Sequence, residues 1–351
     1  MFRKKVLFIV FISLFVFSLP AMASPTKWRV VTHQPTGTVR YDLVAEFCAS
    51  VTKASGGRLT LEPYGSGMLF PVGETFDSVK NGTVQMASIA SGFWGGKNTA
   101  FSYFAGRPGS PLVDFSESVY LYSESKAFAE KLYKKYGITY LGPSQWAPPE
   151  QLLGVVPVKT LADFKGKRIR SHGISAAFYT RLGASVVSTA PSEVYTALQT
   201  KQVDLAEYND WAMNQQLNLQ EVVKYVMIPG MHYDSIEEQS LIVNPKAWEK
   251  LPQDLKEIVN LAREEILRKS AVANGIGTIK AKRQWEARKT IKIITIPDAD
   301  VKKAREIAAK MMLDDAKKNP DLAEYVKIYA RVLNDLGYYD YAKALGFKVT
   351  K

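Results

Sequence analysis

Two strand-like segments carry charge where apolar side chains are expected. In Arg168-Ile169-Arg170-Ser171-His172, two-residue alternation sets Arg168, Arg170 and His172 on one face. Strands of a parallel sheet are normally apolar on both faces, so a basic face calls for an acidic partner. A guanidinium at a strand end holds a carboxylate through two parallel hydrogen bonds. A structural ion pair or a solvated side chain is the other reading of Arg170, and both stay open. Val203-Asp204-Leu205-Ala206-Glu207-Tyr208 has the opposite sign. Glu207 continues the face of Val203 and Leu205, and a buried carboxylate must be paired or must hold a cation. A solvated strand-end glutamate is the alternative. Phe93-Trp94, Tyr103-Phe104, Trp146, Tyr208 and Trp211 stand at strand ends and in loops. Together they suit a pocket that excludes water from a small ligand, although each alone fits a core.

Catalytic patterns are missing around these residues. The three histidines, His33, His172 and His232, have no zinc-ligand spacing, and no Gly-x-Ser-x-Gly occurs. The stretch from Ser91 to Asn98 resembles a phosphate loop but lacks its first glycine and its final Ser or Thr. Cys48 falls in the apolar pattern of Val44, Phe47 and Val51 and reads as a small core residue. As the one cysteine, it rules out an intramolecular disulfide and a cysteine zinc site. Binding is the simplest use of such a chain.

The elements that must position these residues alternate between strand and helix. Strands are expected at Trp28–Thr32, Arg58–Pro63, Val84–Ala90, Ile138–Leu141, Leu152–Val156, Arg168–Ser171, Ser185–Ser188, Val203–Glu207 and Val222–Ile228, with an extended return at Glu238–Val243. Helical crossovers separate most of them, as in Val39–Ala54, Thr75–Lys80 and Lys126–Tyr136, so the sheets should be mostly parallel. From Pro252 to Lys289 there is no proline, and Leu255, Ile258, Val259, Ala262, Ile266 and Leu267 repeat at helical spacing. A continuous helix there, interrupted in pattern only by Gly275 and Gly277, would be about 50 Å long. That exceeds one lobe, so it would act as a strut between two. A length of 351 residues, 46% of them hydrophobic, provides for two domains or one bilobed one.

The first residues bear on compartment. Arg3-Lys4-Lys5 precedes an apolar run from Val6 to Leu19, then Pro20 and Ala21-Met22-Ala23. This is the plan of a cleaved signal peptide, residues 1–23. The run of about 14 apolar residues is shorter than the roughly 20 that span a bilayer. The formal charge of +12 suits an anionic partner, but export argues against nucleic acid. Basic residues also alternate with acids, as in Lys256-Glu257 and Arg263-Glu264-Glu265, and read as solvated helix face.

Several blocks resemble the periplasmic solute-binding proteins of TRAP transporters: Phe76-Asp77-Ser78-Val79-Lys80-Asn81-Gly82-Thr83, Leu161-Ala162-Asp163-Phe164-Lys165-Gly166-Lys167-Arg168-Ile169-Arg170 and Glu193-Val194-Tyr195-Thr196-Ala197-Leu198-Gln199. They run in order through about Trp28 to Pro252. Phe93–Phe101, Asp204–Tyr208 and Lys224–His232 are similar to the subgroup that binds 2-oxo acids or lactate with a metal cation. That resemblance implies that Arg170 pairs with the substrate carboxylate, while Glu207 and the Tyr208 carbonyl help to hold the cation. Tyr233 stands where the subgroup has a glutamate, which makes the adjacent Asp234 a further metal candidate. Gln145, Glu150 and Gln151 all lie near the place of a subgroup glutamine.

The expectation is therefore an α/β, two-lobed periplasmic binding protein fold with mostly parallel sheets and a long helix spanning both lobes. Residues 24–149 with about 236–276 would form one lobe, and 150–235 with about 277–351 the other. A small organic monocarboxylate would sit between them on Arg170, Phe93, Trp94, Gln151, Tyr208, Trp211 and His232. A divalent cation or sodium, with calcium favoured, would sit on Glu207, Tyr208 and Asp234. The rival readings are a larger carboxylate without metal, a sensor, and a secreted hydrolase using Glu207 with His172 or His232. TRAP membrane subunits are the expected partners. The aromatic tail at Tyr338–Tyr341 makes a second copy of the chain a further candidate.

Overall fold

The computed structural model describes residues 25–189, 193–232 and 239–349. The expected leader and Asp234 lie outside them. In chain order the elements are β1 (Thr26–Thr32), α1 (Val39–Ala54), β2 (Leu59–Tyr64), α2 (Thr75–Asn81), β3 (Met86–Ala90), α3 (Thr99–Ala105), α4 (Phe115–Lys135) and β4 (Thr139–Gln145). Next come β5 (Gln151–Gly154), β6 (Arg168–Arg170), α5 (Gly173–Arg181), β7 (Ser185–Val187), α6 (Val194–Gln199), β8 (Leu205–Tyr208), α7 (Trp211–Gln216) and β9 (Tyr225–Ile228). The last are β10 (Gln239–Val243), α8 (Pro245–Glu249), α9 (Gln253–Glu286), β11 (Lys292–Thr295), α10 (Asp298–Ala316), α11 (Pro320–Asp335) and α12 (Tyr339–Ala344).

Local chemistry sets these boundaries. Thr38 begins α1 by accepting from the Tyr41 N–H, and α1 then buries Leu43, Val44, Phe47, Cys48 and Val51. Burial pushes the Cys48 thiol pKa up, as suits an inert core residue. The helix expected at 126–136 starts eleven residues earlier, at Phe115. Asp114 and Glu117 form a reciprocal capping box there, which fixes the start more firmly than the weak apolar pattern that follows.

Two sheets result. The first has the order β2-β1-β3-β10-β4 and the second β11-β9-β5-β8-β6-β7. In each, one strand opposes the rest: β10 runs antiparallel to β3 and β4, and β5 to β8 and β9. The remaining pairs are parallel, as the helical crossovers predict. The two opposed strands are those the chain enters on its first two crossings between the sheets. Trp28, Val30, Leu241 and Val243 pack with α1 and α9 on one face of the first sheet. Leu153, Ala206 and Val226 pack with α6, Trp211 and Trp285 on the second.

The strut helix is present as α9, 34 residues without a break. It touches α1 and β4 of the first sheet and α7 of the second. Gly277 does not interrupt it; a methyl group there would come within 3.1 Å of Ala212 Cβ, so the glycine lets α9 and α7 approach. Ser270 and Asn274 hold the Trp146 backbone at the crossing from β4 to β5. A second link is ionic. Arg40 of α1 bonds Asp210, ahead of α7, at 2.5 Å with both side chains 1% exposed.

The C-terminal helices stand between the two halves. Helix α10 meets α5, while α11 packs on α3 and α4 with Lys131–Glu324 and Lys135–Asp321 pairs. Their contacts thus reach the first-sheet side as well as the second, where residues 277–351 were expected. Among the described residues no helix is long and apolar enough to cross a membrane.

Candidate functional site

Glu207 is the centre of a buried polar cluster. It lies on β8 in the middle of the second sheet, opposite Leu152 of β5, while Arg170 of β6 pairs with its neighbour Ala206. Register therefore brings the two charged residues of the sequence analysis side by side. Glu207 is fully buried. Arg170 Nη1 stands 3.6 Å from its Oε1 and donates to its backbone carbonyl at 3.3 Å. His172 Nδ1 is 3.0 Å from Oε1, and the His172 N–H donates to the same oxygen at 3.3 Å. From the other side His232 Nε2 lies 3.6 Å from Oε2 of Glu207 and 3.2 Å from Oε2 of Glu150.

Electrostatics keeps Glu207 charged. Burial works against its ionisation, but His172, His232 and Arg170 outweigh it and hold the carboxyl pKa at about 2. Burial likewise opposes the charged form of both rings. Glu207 beside His172, and Glu150 and Glu207 beside His232, raise both imidazole pKa values nonetheless. Arg170 stacks over the Tyr208 ring at 5.0 Å.

His232 has one orientation. Its Nδ1 is 2.7 Å from the Gly230 carbonyl oxygen and 2.8 Å from the Tyr179 hydroxyl. A carbonyl only accepts, so Nδ1 carries the hydrogen and the neutral ring turns the Nε2 lone pair toward the two carboxylates. Ligand atoms of Glu150, Glu207 and His232 lie within 4.8 Å of one another. Three acceptors converging this closely need a proton or a cation between them. A backbone carbonyl on the far ring nitrogen is also how metal-binding histidines are oriented.

A cavity of about 50 Å³ adjoins the cluster. Ala90, Gly92, Phe93 and Ala105 line it beyond the carboxyl end of β3. Glu150, His172 and Ile174 face them from the second-sheet side. Such crevices beyond strand carboxyl ends are where open α/β sheets bind ligands.

The expected residues divide here. Phe93 lines the cavity and is 41% exposed. Trp94 does not; it is buried edge-on among Phe76, Phe101 and Tyr133. Trp211 packs edge-on against Trp285 and is likewise core. A strand-end aromatic reads the same in sequence whether it turns to a crevice or to the interior. Gln151 is buried beside Tyr208 on the sheet, its amide donating to Pro149 O at 2.6 Å. The Tyr208 carbonyl, a candidate cation ligand, accepts from Asn214 Nδ2 at 3.1 Å. Arg168 makes a structural ion pair with Asp204 at 2.8 Å. Arg170 is 2% exposed and lies behind the cavity wall; its Nη2 reaches Thr189 O at 3.4 Å and its Nε has no partner. Glu150, placed in the cluster by the structure, follows Pro148-Pro149 in a segment without periodicity. Its proximity to the glutamine position was the one available signal. Tyr179, on α5, gave none.

The model of the bacterial extracellular solute-binding proteins of family 7 matches residues 30–319. The chain belongs to that family. Family 7 proteins are the periplasmic solute-binding components of TRAP transporters, so this one binds and does not catalyse. It is 25% identical over 256 residues to a monocarboxylate 2-oxoacid-binding periplasmic protein of Nostoc, covering 71% of this chain and 68% of that one. In fold it is similar to a TRAP periplasmic solute-binding protein of Colwellia psychrerythraea with bound calcium and pyruvate. The TM-score is 0.81 at 21% identity, over 92% of this chain and 100% of the other. A TRAP solute-binding protein of Bordetella bronchiseptica, a dimer with calcium and picolinate, gives a TM-score of 0.80 at 24% identity over 91% and 95%.

Proposed function

We propose that this family 7 protein captures a small organic monocarboxylate, a 2-oxo or 2-hydroxy acid, together with a cation, and hands it to TRAP membrane subunits. The observation that carries the reading is the convergence of Glu150, Glu207 and His232 Nε2 within 4.8 Å, with His232 turned by Gly230. The donor set fits a cation: Glu207 and Glu150 offer hard oxygens of the kind calcium and sodium take, and the imidazole nitrogen also suits zinc. Calcium is favoured, because two structural relatives carry it beside a carboxylate ligand. When bound, the ion would supply a positive centre for the acid's oxygens. Arg170, behind the cavity wall, is the group that backs the anion site: its hydrogen bonds are long, its Nε gives none, and a buried guanidinium with unused donors is costly unless an anion reaches it. The Nostoc relative's 2-oxoacid ligand agrees.

On this reading residues 1–23 are a cleaved leader and the mature chain works in the periplasm. Residues 24–149 with about 236–276, and 150–235 with about 277–351, are the two bodies that close on the ligand by a hinge motion, except that α11 moves with the first, on which it packs. A second copy of the chain is a further candidate partner.

Thermal unfolding with pyruvate and L-lactate, with calcium or with a chelator, tests the proposal, since a ligand that binds only the folded state raises Tm. Either acid should raise Tm with calcium and much less without it. Equal stabilisation in chelated, sodium-free buffer removes the cation. Stabilisation by larger or dicarboxylic acids alone removes the monocarboxylate.

A further inference from the structure

Arg170 lies behind the cavity wall, and His172 stands on it. We infer that His172 is a ligand-contacting, specificity-determining residue whose Nε2 meets an oxygen of the bound acid. The inference rests on the reading that this cavity takes such an acid.

The ring is fixed at its other edge. Nδ1 lies 3.0 Å from Glu207 Oε1, and the backbone N–H of the same residue donates to that oxygen. A carboxylate only accepts, so Nδ1 keeps its hydrogen whether the ring is neutral or charged. Nε2 is the nitrogen that remains for a ligand. The His172 side chain is 50% exposed, whereas Arg170, Glu207 and His232 are at 2%, 0% and 0%. Of the cluster's cationic and imidazole groups, it alone borders the cavity. His172 also precedes α5 without capping any amide of that helix, so Glu207 and the cavity are what its side chain serves.

The opposite wall supplies the orientation. Ala90, Gly92, Phe93 and Ala105 make it mostly apolar, with Ser102 its polar residue, and a methyl group at Gly92 would already touch Ala105 Cβ at 3.4 Å. The acid's carbon end fits there, and its oxygens then face Glu150 and His172. The group that tells a 2-oxo from a 2-hydroxy oxygen is accordingly His172, with a second-sheet backbone holding it and Glu207 setting its tautomer.

The test is calorimetry with pyruvate and with L-lactate at fixed calcium, on the parent, His172→Phe and His172→Gln. Calcium alone and Tm are measured on each. His172→Phe should lower affinity for at least one acid by about 10- to 100-fold, the loss expected for one hydrogen bond to a charged partner. His172→Gln should recover part of that loss, and in both variants the loss of acid affinity should exceed any change in calcium affinity. The inference is overturned if His172→Phe binds both acids within about threefold of the parent. It is also overturned if calcium alone weakens in parallel, since the ring would then only position Glu207, or if glutamine recovers nothing. A parent that binds neither acid overturns the functional reading and this inference together. Undiminished binding by His172→Phe beside a binding parent overturns the inference only.

Discussion

Arg40–Asp210 and Arg170–Glu207 are both buried guanidinium–carboxylate pairs, yet they are built to different ends. Asp210 is saturated. Its Oδ2 takes Arg40 at 2.5 Å, and its Oδ1 accepts from the Ala212 and Met213 amides and the Thr278 hydroxyl. Arg40 also reaches Asn209, and Gln145 donates to its backbone carbonyl. Glu207 stands 3.6 Å from its arginine and its Oε2 receives no hydrogen bond, so the two carboxylates carry the contrast. Buried polar groups are ordinarily satisfied because desolvation without a partner costs several kcal/mol. A saturated carboxylate therefore belongs to the architecture, and an unsaturated one, beside a cavity, marks where a ligand completes the set. The same residue types serve both, so only the count of satisfied atoms separates them.

The sharpest way to break this contrast is Glu207→Gln. It keeps the shape and removes the charge that His172, His232 and Arg170 surround. Binding of pyruvate or L-lactate should fall at least about 100-fold, as for loss of a buried hydrogen-bonded charge worth about 3 kcal/mol or more. Calcium binding should go with it. Calorimetric affinity within tenfold of the parent would mean that the unsaturated cluster is not the binding site.

Asp210→Asn should do the reverse. Asparagine still caps α7, but Arg40 is left buried without its counter-charge, a change that typically destabilises by about 3–5 kcal/mol. Urea unfolding without ligand measures it. A loss below about 1 kcal/mol would show that the saturated pair is not structural, and the contrast would collapse from the other side.

What could be read from the sequence follows the same division. The strut helix is legible because its apolar positions repeat without proline, and Gly277 is a point of close approach. Glu207 and Arg170 were legible because charge interrupts an apolar strand pattern, and β8 and β6 then set them side by side. Trp94 and Trp211 are core although they stand near strand ends, because alternation says which face a residue takes and not what covers that face. Helix α4 was cut short because its start depends on one capping box and not on periodicity. Glu150 is not legible as a ligand because it lies between strands, where no spacing rule applies. Tertiary packing alone brings it to His232.

The smallest expected effect is the most discriminating for the Asp210 side. Buried ion pairs contribute little net stability compared with well-packed neutral replacements, because Coulomb attraction is largely offset by desolvation. Adding Arg40→Met to Asp210→Asn removes the stranded charge while keeping a long side chain and the α7 cap. Stability should recover by at least half of what Asp210→Asn loses, and acid affinity should stay within about threefold of the parent. No comparable rescue exists for Glu207, since removing Arg170 as well would restore neutrality but not the oxygens that a cation and its acid require. Recovery of stability at 40 and 210 without recovery of binding at 170 and 207 is the asymmetry that a structural pair and a ligand site must produce. Should the double variant remain as unstable as Asp210→Asn, the α1–α7 link depends on the charges themselves, and saturation would no longer separate architecture from function in this chain.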